Sequence, residues 1–206
     1  MTIIDNYRAL PLGKYLAILE LTENSELDDL TRQVEIVSIL TGTSADDILN
    51  LPIDEYKECV IKSRFLTRVF PGNLIIAKSY KVGDFDLLPV TKYDKITTAQ
   101  YIDFQQFIKE GKSRFAELLS CLMIPKGKKY NDGYDITEVH EAIKQHLSAA
   151  DALSLSAFFL RKLKQLMEDS LTYCKKEAFR MNRKEIVEMI RKVEITLYAS
   201  GVGLNV

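Results

Sequence analysis

The sequence predicts a mainly α-helical protein, a helical bundle that carries one small β-hairpin insertion. Three observations indicate this class. Apolar residues recur at spacings of three and four along most of the chain, which is the pattern of helices with one buried face. Many of these stretches begin with a capping residue and end at a glycine or a proline. One stretch, residues 73–90, instead combines β-branched and aromatic residues around a turn.

Short helices are predicted before the hairpin. Residues 11–21 fit a buried short helix or a strand equally well, whereas residues 27–42 predict a clear helix that ends at its glycine. Ser44 with Asp47 three positions later predicts an N-terminal cap. Pro52 then begins a further helix, because its fixed φ suits the first turn.

The hairpin is predicted around the tripeptide Val82–Asp84. Its first arm would run through Leu74, Ile76, Tyr80 and Val82, and its second through residues 85–88, with Pro89 at the end. A lone hairpin is marginally stable in water, so we expect this one to pack on helices.

The rest of the chain is predicted to be helical. Thr97 with Gln100 begins one helix. The apolar face of that helix would comprise Tyr101, Phe104 and Ile108. A helix over 113–124 would end at the following proline, and Asp135 and Ser148 would each cap a later helix.

Three regions are predicted along the chain. They are an N-terminal helical lobe (1–69), the hairpin insertion (70–91) and a C-terminal helical bundle (92–206), with a single domain as the alternative. The bundle would close with a helix over 183–199.

The net charge of −1 is unevenly distributed. Through Val60 there are twelve acidic and four basic residues, and the remainder has seventeen acidic and twenty-four basic residues. This asymmetry indicates either an acidic and a basic face or unbiased solvated surface. Opposed charges could also support head-to-tail self-association.

Cysteine usage and hydropathy indicate a reducing compartment and no membrane. The three cysteines, Cys59, Cys121 and Cys174, are odd in number and far apart, which argues against a disulfide framework. The first ten residues have no secretory pattern. The most apolar stretch, residues 118–124, is much shorter than the roughly 20 residues that span a bilayer.

The stretch "IPKGKKYNDGYD", residues 124–135, invites a ligand-binding interpretation. It lacks the glycine and the Ser or Thr that a phosphate-binding loop places around Gly-Lys. Its acidic residues also miss the calcium-loop register. We therefore predict a connector between two helices, with Lys128 and Lys129 on a charged surface loop.

No catalytic grouping is visible in the sequence. His140 and His146 are six residues apart, so on a helix they would point about 240° away from each other. Acidic pairs stand at helix starts, where the helix dipole explains them. We expect no enzymatic activity, no cofactor and no metal site.

A basic stretch lies near the C-terminus. Between Lys175 and Lys192 there are seven basic residues and three acidic ones, while the whole chain has a pI of about 6.2. The pattern favours a solvated helix face. A protein-docking face and a nucleic-acid-binding face stay open as alternatives.

The segment Val34–Glu58 resembles small helical proteins of tailed bacteriophages. It has a helix ending in "ILTG", a short acidic capped helix, and then "LP" opening a helix with Glu-Tyr. "ITTAQYIDFQQF" and "IPKGKKYNDGYD" add to a similarity to tail-assembly-chaperone-like and minor virion morphogenesis proteins of Bacteroides-type phages or prophages.

This resemblance implies a non-enzymatic role in tail or head–tail assembly, or as a minor structural component of the virion. It places the chain in the host cytoplasm during assembly, or in the virion, with other virion proteins or further copies of itself as partners. Candidate contact residues are Asp46, Asp47, Asp54, Glu55, Val82, Asp84, Lys128, Lys129, Lys175, Lys176, Arg180 and Arg183. The alternative function is nucleic-acid-associated packaging or ejection through the basic C-terminal helices.

Overall fold

A computed structural model describes residues 2–68, 70, 76–92, 96–111 and 114–181. The side chains at positions 163, 166, 167, 169–171 and 173–181 are not part of that description. The predicted fold class is confirmed: the protein is mainly α, 62% helical, with a small antiparallel sheet inserted among the helices.

Four α-helices precede the sheet. They are α1 (Leu12–Glu23), α2 (Asp29–Thr41), α3 (Ala45–Leu49) and α4 (Ile53–Ser63), and α4 continues into a 3-10 helix (Arg64–Thr67). The ambiguous first segment is therefore helical. Gly42 ends α2 with a φ of 73°, a left-handed conformation that glycine adopts without steric cost. Ser44 caps α3 as predicted, because its hydroxyl accepts from the Asp47 amide.

Three short strands form the sheet. They are β1 (Tyr80–Val82), β2 (Phe85–Pro89) and β3 (Met123–Pro125), paired antiparallel in the order β1-β2-β3. The predicted hairpin is confirmed. Of its first predicted arm, Ile76 precedes the strand and Leu74 lies outside the described residues.

The third strand corrects the sequence prediction that a helix continues to residue 124. Leu122 is the last helical residue, and Met123 is extended, with a φ of −128°. Leu88 of β2 pairs with Ile124, so the end of the apolar run completes the sheet. A short apolar run cannot by itself distinguish a buried strand from a buried helical turn.

Four more α-helices follow the hairpin. They are α5 (Thr98–Glu110), α6 (Phe115–Leu122), α7 (Ile136–His146) and α8 (Ala149–Met181). All three predicted starts are confirmed. Thr97 and Gln100 form a complete capping box at the start of α5. The Asp135 side chain accepts a hydrogen bond from the Thr137 amide, and the Ser148 hydroxyl accepts one from the Asp151 amide.

The predicted apolar face of α5 is only partly right. Phe104 is buried, but Tyr101 is 55% exposed and Ile108 is 37% exposed. The buried face instead follows Gln100 and Phe104, four residues apart, and the Gln100 amide donates to the Cys121 carbonyl oxygen at 2.6 Å. Gln100 can occupy a buried position on this face because its side-chain amide is hydrogen-bonded to a backbone carbonyl.

Backbone hydrogen bonds join the start of the chain to the junction between α7 and α8. Leu12 N donates to Leu147 O at 2.8 Å, and Ala149 N donates to Leu10 O at 2.7 Å. Ala150 N donates to Tyr7 O at 3.0 Å. We call this pairing the N-terminal clasp. It joins the residues before and at the start of α1 to the residues between α7 and α8, within one compact unit.

Residues therefore group differently from the predicted regions 1–69, 70–91 and 92–206. The chain divides into one compact unit over Met1–Ser156 and a second over Ala157–Val206. The N-terminal clasp and the pairing of β2 with β3 link segments that the sequence assigned to different regions. The predicted helix over 183–199 lies outside the described residues.

Candidate functional site

The four predicted acidic contact residues lie at the starts of two consecutive helices. Asp46 and Asp47 are in the first turn of α3, and Asp54 and Glu55 are in the first turn of α4. All four are exposed. Carboxylates are favourable there because the N-terminus of a helix carries partial positive charge. Part of their role is thus to stabilise these two helices.

Two of these carboxylates are already used within the chain. The Ser44 hydroxyl donates to Asp47 Oδ2 at 2.6 Å, and Asp54 Oδ1 lies 3.6 Å from Lys57 Nζ. Among the described residues, Asp46 and Glu55 have no side-chain hydrogen bond or ion pair. Their carboxylates are therefore the ones available to a cation on another molecule.

Two large apolar residues lie between these acids in the sequence, and both are exposed. Leu49 is 65% exposed and Ile53 is 63% exposed, whereas the neighbouring Ile48 is 1% exposed. We call this surface the acidic–apolar face and define it by Asp46, Asp47, Leu49, Ile53, Asp54 and Glu55. Sequence reasoning missed the two apolar members. For Leu49 the available signal was the length of α3, because a helix of five residues can bury only one side of itself. Ile53 is the first residue of α4 and gave no comparable signal.

A groove of about 460 Å³ lies between α1, α2, α4 and the 3-10 helix. Its apolar lining comprises Tyr15, Ile18, Leu19, Ile36, Val60 and Leu66. Several polar side chains of the groove already form hydrogen bonds within the chain. For example, Gln33 Oε1 accepts a hydrogen bond from the Tyr56 hydroxyl, and the Ser63 hydroxyl donates one to Val60 O. The groove is thus an apolar depression with few free polar groups.

The two arginines that line the groove differ in their bonding. Arg32 pairs with Asp29 at 2.7 Å and donates to the backbone oxygens of Leu21, Asn24 and Leu27. Arg64 is exposed and has no ion-pair partner among the residues that the structure describes. Arg64 is therefore the cation that the groove offers to a ligand. We call this site the helical groove.

The hairpin tip differs from its prediction as a contact surface. Val82 is fully buried, so it does not lie on the surface; Asp84 is exposed. A Cβ at Gly83 would lie 2.9 Å from His146 Cδ2, which shows how closely the turn packs against the end of α7. The tip is a packed part of the first unit, with only Asp84 available from the predicted pair.

The connector between β3 and α7 places both predicted lysines on the surface. Lys128 and Lys129 are exposed. Gly127 and Gly133 have φ values of 79° and 76°, as expected for turns, and Asn131 adds a third left-handed position at 56°. The residue before Lys126 belongs to β3, so the connector joins a strand to a helix and not two helices.

One connector residue is anchored inside the protein. The Tyr130 hydroxyl donates to Asp103 Oδ2 at 2.8 Å and lies 3.4 Å from Cys121 Sγ. Burial, the largest cause, raises the pKa of Cys121 to about 11. The thiol is therefore protonated at neutral pH and unsuited to nucleophilic chemistry. Sequence reasoning missed this anchor because Tyr130 stands in a polar loop.

A charge cluster around one buried carboxylate lies between α6 and α7. Glu117 is 5% exposed, and its Oε1 lies 3.2 Å from Arg114 Nη1 and 4.0 Å from Lys144 Nζ. Glu117 Oε2 and the buried His140 Nε2 have no hydrogen-bond partner among the described residues. The pairing compensates the buried carboxylate, while the imidazole stays unsatisfied.

Stability should fall as the pH falls through the range in which His140 titrates. Burial, the largest cause, lowers the pKa of His140, so the unfolded chain binds this proton more readily than the folded one. The contribution of the neutral His140 to the free energy of unfolding is complete above the pKa of the unfolded chain, about 6.5. It is lost as the pH falls towards the lower pKa of the folded protein. Urea unfolding between pH 7.5 and pH 5 measures it.

Removal of the His140 imidazole tests this pH prediction. His140→Gln should flatten the pH dependence of the free energy of unfolding between pH 7.5 and pH 5. Equal slopes in the wild type and in His140→Gln would contradict the assignment to His140.

The four basic C-terminal candidates belong to α8 or follow it in the sequence. Lys175, Lys176 and Arg180 belong to α8, but their side chains are outside the description, and Arg183 lies outside the described residues. No α-helix in the described part of the chain is both long enough and apolar enough to cross a bilayer.

Comparisons with protein-family models, with curated proteins and with solved structures give no match. The resemblance to phage proteins therefore stays a prediction from sequence. Two features of the first unit are suited to binding another molecule, the acidic–apolar face and the helical groove.

Proposed function

We propose that this protein is a non-enzymatic bacteriophage protein that binds a partner protein during tail or head–tail assembly, or as a minor component of the virion. The observation that carries the proposal is the exposure of Leu49 and Ile53 between Asp46 and Glu55 in the sequence, whose carboxylates are unpaired among the described residues. This face lies inside the segment Val34–Glu58, on which the resemblance to phage morphogenesis proteins rests.

The composition of the acidic–apolar face suits a protein interface. Burying one exposed leucine or isoleucine side chain against a partner contributes about 1.5–3 kcal/mol. Exposed ion pairs contribute less, about 0–1 kcal/mol each, but they select the partner and its orientation. Leu49 and Ile53 would therefore provide affinity, and Asp46 and Glu55 would favour a partner with basic groups around an apolar centre.

The alternative of nucleic-acid binding has less support. It depends on Lys175, Lys176, Arg180 and Arg183, and three acidic residues interrupt the basic stretch between Lys175 and Lys192. The acidic–apolar face would repel a phosphate backbone. We therefore propose protein binding as the function.

Affinity purification from phage-producing cells tests the proposal. The tagged chain should capture a virion protein, and Leu49→Ser combined with Ile53→Ser should reduce that capture at least tenfold. Mass spectrometry identifies the captured protein, and the same method applied to purified particles shows whether copies of the chain remain in the virion.

Ile102→Ser is the matched control, because Ile102 is 57% exposed on α5, outside the face and the groove. It should capture the same virion protein as the wild type. The proposal is overturned if no virion protein is captured and purified particles contain no copies of the chain. It is also overturned if the double variant captures the virion protein as well as Ile102→Ser does.

A further inference from the structure

We propose that the helical groove of one copy of this chain binds the acidic–apolar face of another copy, so that the protein self-associates head to tail. This inference rests on the proposed function, because it names a second copy as the partner of the same face. Both surfaces belong to the first unit and consist of described residues.

The two surfaces are complementary in apolar character. The face presents Leu49 and Ile53, both more than 60% exposed, and the groove offers a cavity of about 460 Å³ with an apolar lining. Volumes of roughly 300–1,000 Å³ are typical of sites that enclose apolar groups. A pair of aliphatic side chains, one from the end of α3 and one from the start of α4, is an occupant of suitable size and chemistry for this groove.

The two surfaces are also complementary in charge. The groove has one cation that is not paired within the described part of the chain, Arg64, and the face has two unpaired carboxylates, Asp46 and Glu55. Arg32 does not compete, since Asp29 and three backbone oxygens already occupy its guanidinium. Insertion of the apolar pair would bring the free acids to the free arginine at the groove margin.

The two surfaces lie at opposite ends of the same helix. Ile53 and Glu55 are in the first turn of α4, whereas Ser63 ends it and Arg64 follows. At 1.5 Å per residue, Ile53 and Arg64 are roughly 16 Å apart along the axis. A molecule therefore cannot insert its own face into its own groove through α4.

The interface would be heterologous, since face and groove are different patches. A pair of copies then leaves one face and one groove unused, and addition continues until a ring closes or an open chain forms. An assembly in which each pair of copies shares one contact should consequently grow beyond a dimer. A repeated place in a particle, as proposed for a virion component, is the arrangement that such an interface supports.

Two single-surface variants test this geometry. The double variant Leu49→Ser with Ile53→Ser removes the two apolar side chains of the acidic–apolar face. The double variant Arg64→Glu with Thr67→Trp alters the helical groove. It reverses the charge at position 64 and places a bulky side chain at position 67, an exposed position that lines the groove. In sedimentation velocity, the wild-type mass should rise with concentration beyond that of a dimer. Each variant alone should stay monomeric, with the dissociation constant at least tenfold higher.

The decisive measurement is the equimolar mixture of the two variants. The face-deficient copy retains its groove and the groove-deficient copy retains its face, so the mixture should form a heterodimer and no larger species. Circular dichroism checks that both variants are folded, and Ile102→Ser should associate like the wild type.

Three results would overturn the inference: a wild type that is monomeric at every concentration, association that neither variant weakens, or a mixture without heterodimer. These failures are distinguishable from failure of the proposed function. A monomeric wild type that still captures a virion protein through Leu49 and Ile53 leaves the proposed function standing. It assigns the face to a different partner.

Discussion

Ile48→Ala is expected to lower the free energy of unfolding by about 2–5 kcal/mol, whereas Leu49→Ala should change it by less than about 0.5 kcal/mol. Ile48 is 1% exposed, and it packs in a buried cluster with Val34, Val37 and Cys59. Its truncation leaves a cavity, while Leu49 at 65% exposure loses little contact. Urea unfolding followed by far-UV circular dichroism measures both values.

This comparison of adjacent residues separates folding from binding. The Leu49→Ala protein should be as stable as the wild type but should bind its partner more weakly. A large loss of stability in Leu49→Ala would show that this side chain belongs to the core, and the acidic–apolar face would then lose one of its two apolar members. Cys59→Ser, in the same buried cluster, is a second core variant for comparison.

Tyr130→Phe is expected to lower the free energy of unfolding by about 1.5–3 kcal/mol, the usual range for a hydrogen bond to a charged group. The variant keeps the ring and removes only the hydroxyl that donates to Asp103 at 2.8 Å. Asp103 then loses a donor in a half-buried position. Urea unfolding at pH 7 measures the difference.

Tyr134→Phe is the matched control in the same connector. Its hydroxyl accepts from the Asn131 amide at 3.4 Å, a long and weak contact. This variant should lose clearly less stability than Tyr130→Phe. Equal losses would mean that the hydroxyl of Tyr130 does not anchor the connector to α5.

Helix starts could be predicted from the sequence because their causes are local. A cap such as Ser44 or Thr97 bonds an amide within three residues, so the pattern contains both partners. Gly42 ends α2 for an equally local reason. The same locality explains the hairpin, since β1 and β2 pair across a two-residue turn.

The features that sequence reasoning missed depend on distant partners. Met123 becomes a strand residue because β2, more than thirty positions earlier, offers it a neighbour. Tyr101 is exposed because α5 turns Gln100 and Phe104 towards the interior. Val82 is buried because the hairpin packs against α7, and no short-range pattern reports that contact.

Only part of the candidate site could be predicted, because the rest of it also depends on contacts between distant residues. The four acids could be found because they are helix-start residues, and their exposure follows from that position. Leu49 and Ile53 are residue types that are usually buried, so predicting their exposure requires knowledge of which sides of α3 and α4 face inward. The groove combines residues of four segments and has no contiguous sequence signal.

The N-terminal clasp has a consequence for the order in which the protein forms during translation. Residues 7–12 leave the ribosome early, but the backbone groups of residues 147–150 that bond them are made much later. At about 5–20 residues per second, this delay is on the order of ten seconds. Throughout it, Leu10 lacks Ala149, one member of its buried cluster, and the backbone groups of Leu10 and Leu12 that bond Ala149 and Leu147 are available to chaperones or to premature contacts.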